Sequence, residues 1–489
     1  MCLQAVAQVS PADGAVLNYR VVGFELSGKE KQKGGILELA SGYDSTERSF
    51  LKKRIKTVPF KDGKAIVELP AFGQRYTWRI AHEKIGHVKF YGPLYHFSTG
   101  FSDAIDTARQ RLRVVIPARG NSDGFVFTDG SRALYDLNGK PIWFLPDLPE
   151  FKGAVNDLKF SPFGTITFLV NKEAYEIDYN GRILWKAPDT THPNTTLIGK
   201  YHHEFSRLAN GNYMVLSTDV ASVFKKWPSN KRRDSLIADT SEHIMSNDTS
   251  YLRSEFGTIK EYDKNDKLIW CWNSLNYFRA SDICYRYADS TLDFNMHENA
   301  FYFDDKQKVV YASFKYCSRI LKISYPDGKV IAEYGEQFGP GNPDRKKGLF
   351  YGQHSARRSH DGYLYLFNNN IRDSTGLPQV LMLKEPAAGR GPLTKVWEYD
   401  CTMDDIEPSK QNRLSFQTGG NVMELPDGDF FVCMPGQDSR LLIVDRAKNV
   451  RWAAVAEKWD ADSKTWKIIS NYRGSAISRN DLTRLVWRH

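Results

Sequence analysis

Two short patterns alternate along residues 113–489 of this 489-residue chain, and that alternation limits the fold more than any other feature. The first is a strand, a turn built on Asp, Asn or Gly, and a second strand ending near a tryptophan. It runs from Leu134 to Trp143, Glu176 to Trp185, Glu261 to Trp270 and Leu442 to Trp452, from Leu321 to Val330 without the tryptophan, and partially from Lys395 to Asp400. The second is a hairpin whose copies begin near Asn156, His203, His297, His354, Gly420 and Gly474. Several of these turn on a Leu-x-Asn/Asp-Gly sequence, as at Leu208–Asn212 and Leu425–Asp429. Two hairpin-like elements recurring six times, at intervals of about 50 to 65 residues, predict a propeller of six four-stranded blades.

The remainder fits an all-β chain. Aromatic residues make up 13% of it, and Gly and Asp turn pairs are frequent, a composition that favours strands over helices. Residues 1–105 lack the long repeat and instead carry short alternating strands: Tyr19–Leu26, Gly35–Leu39, Lys64–Leu69, Tyr76–Ala81 and Gly92–Gly100. That spacing predicts a small β-sandwich. Its Tyr76-x-Trp78-x-Ile80 strand followed by Phe97-x-Thr99 resembles a fibronectin type III domain, and its expected role is docking, pairing into a homodimer, or lining the edge of a site. The propeller is expected over 106–489. The long interval between His203 and His297 holds a polar, basic insertion near 218–256, read as a loop or lid.

The net charge is +9, with basic and acidic residues mixed along most of the chain. Short basic runs occur at Lys225–Arg233 and Arg345–Lys347. They fit either a solvated basic surface or a positive field around an anion pocket. No basic helix, zinc spacing or RNA-binding aromatic motif points to nucleic acid. No run of about 18 apolar residues predicts a membrane span. The start Met1-Cys2-Leu3 reads as that of a mature exported, periplasmic chain, with Cys2 as a candidate lipidation site. None of the six cysteines forms a Cys-x-x-Cys pair, and Cys271 with Cys284 is the best disulfide candidate.

In a propeller the innermost strand of each blade lines the central channel, so equivalent positions on successive blades face one space. His203, His297 and His354 open the inner strands of blades two, three and four. Three histidines at equivalent positions predict a shared site. Asn299, two residues beyond His297, is expected on the same strand face. Arg319 offers a guanidinium suited to a tetrahedral oxyanion. Thr418 and Asn421, with Tyr472 and Arg473, hold comparable places on the last two blades. A catalytic metal is the competing reading; Glu204 favours it, while an arginine inside the site would repel a cation. No metal is expected. Histidines with an arginine and an amide suit transfer of an anionic group, one imidazole attacking while the others neutralise charge.

The segments His202-His203-Glu204 with Leu208–Asn212, Phe294–Asn299, Ser318-Arg319 and Gly352-Gln353-His354 resemble the bacterial arylsulfate sulfotransferases. A sandwich followed by a six-bladed propeller is that family's layout, so the resemblance covers nearly the whole chain. It implies transfer of a sulfuryl group from an aryl sulfate donor to a phenolic acceptor by a ping-pong route, without phosphoadenosine phosphosulfate and without any cofactor. By motif position His354 would be the nucleophile that becomes sulfated. His203, His297 and Arg319 would bind sulfuryl oxygens, with a histidine moving the proton, and Asn299 would add a hydrogen bond. Thr418, Tyr472 and Arg473 would line the substrate. His202 is the weaker member of its pair, because strand alternation would point it away from His203. Phe294-Asn-Met and Phe367-Asn-Asn-Asn depart from the family pattern, and both are expected to bear on acceptor choice, not on chemistry. Hydrolysis of sulfate or phosphate esters, or anion binding without catalysis, are the alternatives for the same pocket.

Overall fold

The computed structural model describes all residues except 1–8, 27–34, 84–88, 119–122, 190–200, 225–250, 279–293, 336–347, 372–376, 388–390, 402–415, 417 and 489. Cys2, Cys284 and both basic runs therefore lie outside the described residues. Cys271 carries a free thiol.

Six sheets of at least four strands follow one another. Blade 1 starts with Val155–Phe160, blade 2 with Phe205–Arg207, blade 3 with Glu298–Asp304, blade 4 with His354–Arg358 and blade 5 with Asn421–Glu424. Blade 6 combines both ends of the propeller chain: Gly474–Ser478 is its inner strand, and Gly124–Thr128, Ala133–Asp136 and Pro141–Phe144 are the outer three. Gln110–Ile116 adds to the outer edge of blade 5 by pairing with Val450–Asp460.

The repeated tryptophan has a structural reason. The turns before Trp143, Trp185, Trp270 and Trp452 are closed by their first aspartate, as where Asp178 accepts the amides of Asn180 and Arg182. The tryptophan then donates its indole N–H to the equivalent turn of the next blade. Trp143 of blade 6 reaches the Tyr179 carbonyl of blade 1, and Trp185 reaches Asp266 of blade 2. Trp270 reaches the Pro326 carbonyl of blade 3. Trp397 reaches the Arg446 carbonyl of blade 5, and Trp452 reaches the Leu137 carbonyl of blade 6. Blade 3 has Val330 instead of a tryptophan; there Tyr311, Tyr334 and Lys322 converge on Glu385 of blade 4. The chain of contacts passes through every blade and returns to its start, so the ring is closed.

The N-terminal strands form two facing sheets whose core holds Phe24 against Trp78 and Phe97. This unit shares one apolar core with blades 6 and 1. Tyr19 stacks on Tyr179 and donates its hydroxyl to Asn180. Among the described residues the α-helices are Glu47–Lys53 and Arg479–Trp487. The second packs Val486 and Trp487 against Gly23 of the N-terminal unit.

The insertion expected as a loop is corrected at its flanks. Tyr213–Phe224 and Tyr251–Tyr262 are paired strands along their full lengths, so residues 218–224 and 251–256 extend blade 2. Only 225–250 falls outside the described residues.

A buried ion network sits on the channel axis. Glu204 of blade 2 accepts from Lys159 of blade 1 at 2.6 Å, from Arg357 of blade 4 at 3.1 Å, and from Arg473, which precedes the inner strand of blade 6. Arg473 also pairs with Asp157 of blade 1 at 3.0 Å and donates to the Asn299 carbonyl of blade 3 at 2.8 Å. These cations hold the Glu204 carboxyl well below the usual carboxylate range despite its burial. Removing one partner from such a network leaves a buried charge uncompensated. Arg473→Met is expected to lower unfolding stability by about 3–5 kcal/mol, measured by urea denaturation; an unchanged midpoint would show that the network does not hold the ring.

Candidate functional site

Above this network the starts of the inner strands of blades 2, 3 and 4 come together. His203 and His297 have ring centroids 4.9 Å apart. Tyr472 lies 5.7 Å from His203 and 6.5 Å from His354, also between centroids. The three histidines share one site, together with Tyr472. Backbone geometry explains their convergence: His203 has φ 61° and His297 has φ 51°. Left-handed conformations are uncommon for residues with a side chain, and here they break strand alternation just before each inner strand. Blade 4 achieves the same with Ser355 at φ 56°, one residue after His354.

One expectation from alternation changes as a result: His202 does not point away from His203, because their Nδ1 atoms lie 2.5 Å apart. Asn299 donates from Nδ2 to the Gln353 carbonyl at 2.8 Å, which ties it to the segment entering His354. Its Oδ1 is buried, with no hydrogen-bond partner among the described residues.

His354 is the most confined of the three, at 1% exposure. Its Nδ1 faces Asn369 Oδ1 at 2.7 Å and the Gly352 carbonyl at 3.2 Å. The Asn369 amide nitrogen donates to the Phe416 and Gly419 carbonyls, so its oxygen must face the ring. Both groups facing Nδ1 accept, which places the proton on Nδ1 and the lone pair on Nε2. Nε2 accepts the Gly419 amide at 3.3 Å. Gly419 has φ 83°, and a Cβ there would sit 2.8 Å from the Tyr472 ring, so only glycine allows this approach. Within Phe367-Asn-Asn-Asn, Asn369 orients the histidine, and Asn370 takes a left-handed turn at φ 53°.

The cation in the cluster is Lys315, not Arg319. The Lys315 amide bonds the His297 carbonyl at 2.9 Å, and its side chain passes over Tyr316, which packs on His297. Lys315 is 5% exposed, and among the described residues its ammonium has no hydrogen-bond or ion-pair partner. Desolvation brings it down to about 8. Arg319 instead ion-pairs with Glu333 at 3.1 Å and lies over Phe278. Arg473, expected to line substrate, is committed to Glu204 and Asp157. Thr418 is exposed and precedes the Gly419 amide that meets His354. The Tyr472 hydroxyl is buried, with no hydrogen-bond partner among the described residues.

Burial and neighbouring cations keep the imidazoles neutral. Desolvation, then Lys315, lowers His297 to about 3, and desolvation with Lys315 and Arg473 holds His354 well below its ordinary value. His203 is lowered likewise by burial and by the other histidines. The two carboxylates next in sequence do not offset this. Glu204 is taken by its three cations, and Glu298 turns aside against Gly257, where a Cβ would come within 1.8 Å of its Oε2. The result is a set of uncharged imidazoles beside one uncompensated ammonium, suited to receiving an anion.

The arylsulfotransferase (ASST) family model matches residues 121–400, more than half of the chain. The chain belongs to the arylsulfotransferase family. The match supports sulfotransferase activity in general terms. Tyr472, Arg473 and Gly419 come from beyond the matched span. No curated protein matches this arylsulfotransferase. Among solved structures, a Bacteroides caccae protein of unknown function is 14% identical over 76% of this chain and 99% of its own, with a TM-score of 0.41. The Pseudomonas aeruginosa periplasmic gluconolactonase PpgL is 12% identical over 76% and 99%, with a TM-score of 0.37.

Lys315, Asn369 and Thr218 escaped the sequence reading. Each follows the second strand of a hairpin, or lies on it, across from a site histidine, and hairpin pairing is the signal that could have found them. Asn369→Asp would place a carboxylate against Nδ1–H and favour the imidazolium. His354 is then expected to titrate at higher pH than in the parent protein, followed by histidine NMR; an unmoved titration would show that Asn369 does not govern the ring.

Proposed function

We propose that this sulfotransferase moves a sulfuryl group from an aryl sulfate to a phenol in two steps, through a sulfated His354, without a nucleotide-linked donor. The observation that carries this reading is the desolvated Lys315 ammonium without a counter-ion beside neutral His297 and His354. Such a cation favours a bound anion strongly in a low-dielectric site. A sulfate ester is monoanionic, so its charge would match the ammonium.

In the first step the Nε2 lone pair of His354, released from the Gly419 amide, forms a bond to sulfur as the sulfur–oxygen bond to the aryl group breaks. The electron pair leaves on the phenolic oxygen, which takes a proton. Asn369 and the Gly352 carbonyl keep the other proton on Nδ1, so the attacking atom needs no deprotonation. Lys315, His297 and the Gly419 amide are arranged to bear on the sulfuryl oxygens, and the Tyr472 hydroxyl is available to an oxygen on the opposite side. In the second step the acceptor phenol attacks the same sulfur, loses its proton and regenerates His354. No helix among the described residues is long and apolar enough to cross a membrane; a periplasmic setting and pairing through the N-terminal unit remain part of the proposal.

With p-nitrophenyl sulfate as donor, added phenol is expected to increase p-nitrophenol release and to yield phenyl sulfate, and His354→Ala to abolish both. Equal release with and without phenol, and no sulfated phenol, would establish hydrolysis instead. Lys315→Met is expected to reduce kcat/KM by about 10²- to 10³-fold, the range for loss of one oxyanion-stabilising group. Because the ammonium loses its charge as pH rises through about 8, the parent rate should fall there, and Lys315→Arg should move that fall to higher pH. A flat profile through this range would remove Lys315 from the reaction.

A further inference from the structure

His202 sits behind His203, and both of its ring nitrogens are engaged. Nδ1 meets His203 Nδ1 at 2.5 Å, and Nε2 meets the Thr218 hydroxyl. The Thr218 hydroxyl lies on the strand behind His202 and can accept an N–H from its Nε2. No ring nitrogen of His202 is left for substrate. His203, with Nδ1 turned to His202, presents Nε2 on the side where its ring faces His297 and Tyr472. Two nitrogen lone pairs facing at this distance would repel, so one proton lies between them.

We infer that His202 and His203 work as one proton-sharing pair, with His203 handling the phenolic proton at Nε2 and His202, anchored by Thr218, acting as its positioning residue. The inference rests on the sulfuryl-transfer reading above. In the neutral pair the N–H directed to the strand is Nε2–H of His202, the bridging proton is on His203 Nδ1, and His203 Nε2 carries a lone pair. In the acceptor half-reaction the phenol O–H bond breaks and its proton goes to this Nε2. The phenolic oxygen bonds to sulfur, and the Nε2–S bond of His354 breaks with its electron pair returning to that ring. His203 is then an imidazolium whose Nδ1 proton already bridges to His202, so the charge spreads over two rings. The donor half-reaction starts from this protonated pair, its extra proton left by the preceding acceptor half-reaction or taken from water as the anionic donor binds, and the proton passes from His203 Nε2 to the departing phenolic oxygen, which leaves the neutral pair. Atoms and charge balance over the two half-reactions.

The pair matters most when the departing phenol is a poor leaving group and must be protonated as it leaves. The test is single-turnover sulfation of the full-length protein by phenyl sulfate and by 4-nitrophenyl sulfate, in the parent, His202→Ala, His202→Asn and Thr218→Val. His202→Ala is expected to lose on the order of 10²-fold with phenyl sulfate, the size of an acid–base contribution, and markedly less with 4-nitrophenyl sulfate. His202→Asn places an amide oxygen near the Nδ1 position and should recover part of the loss. Thr218→Val, a milder change that keeps the fold's shape, should show the same donor dependence at smaller size. Equal losses with both donors in His202→Ala and Thr218→Val, or no loss with either donor, would overturn the pairing. Failure of the parent protein to turn over either donor would overturn the sulfuryl-transfer reading itself.

Discussion

The structure depends on one buried contact, that between Arg473 and Glu204 on the propeller axis. Arg473 touches blades 1, 2 and 3, and Lys159 and Arg357 bring blades 1 and 4 to the same carboxylate. A propeller built only from neighbour-to-neighbour packing would leave its inner strands free to splay. Here a single carboxylate links inner strands that are not adjacent in the ring. The geometry at the three histidines is therefore fixed from below, because His203 immediately precedes Glu204, and Asn299, whose carbonyl Arg473 holds, lies two residues after His297.

The same contact sorts the charges of the channel. Without its cations, Glu204 would be the natural counter-ion for anything positive near His203. With them, the carboxylate is fully occupied, and the potential at the histidine end is set by Lys315 and by the dipoles of Gly419 N–H and Asn369. Neutral imidazoles follow from this arrangement, since a second positive charge beside Lys315 would be unfavourable in a desolvated space. The site thus combines a nucleophile that needs no deprotonation with a cation that binds the group to be transferred. The two requirements are met by different blades, 4 and 3.

Much of this was legible in the sequence. Six blades followed from the count of hairpins and Trp-terminated turns, and the tryptophans recur because each one fastens its blade to the next. Three histidines at equivalent repeat positions identified the shared channel end. What failed was the use of strand alternation at the very point where the backbone leaves the extended region: φ 61° at His203 and 51° at His297 turn side chains in directions that a two-residue period does not give. That is why alternation misdirected His202. Arg319 fits an oxyanion well in the abstract, yet Glu333 claims it. Lys315 and Asn369 carry no signal of their own, because each lies just past the second strand of its hairpin. Their positions, across the hairpin from His297 and His354, are determined by strand pairing, which can be inferred from turn positions but requires the register to be known.

The way the ring closes has a consequence for how the protein is made. Blade 6 takes its inner strand from Gly474–Ser478 and its other three strands from residues 124–144. Tyr472 and Arg473 belong to the same late segment. During synthesis the strands of blade 6 near residue 124 must wait, unpaired on their inner edge, until residues 474–478 have been made. Blades 1 to 5 can form in order, but neither the axial ion network nor the complete histidine site exists before Tyr472 and Arg473 arrive. A chain cut short before residue 472 would therefore be inactive as a whole, not partly active.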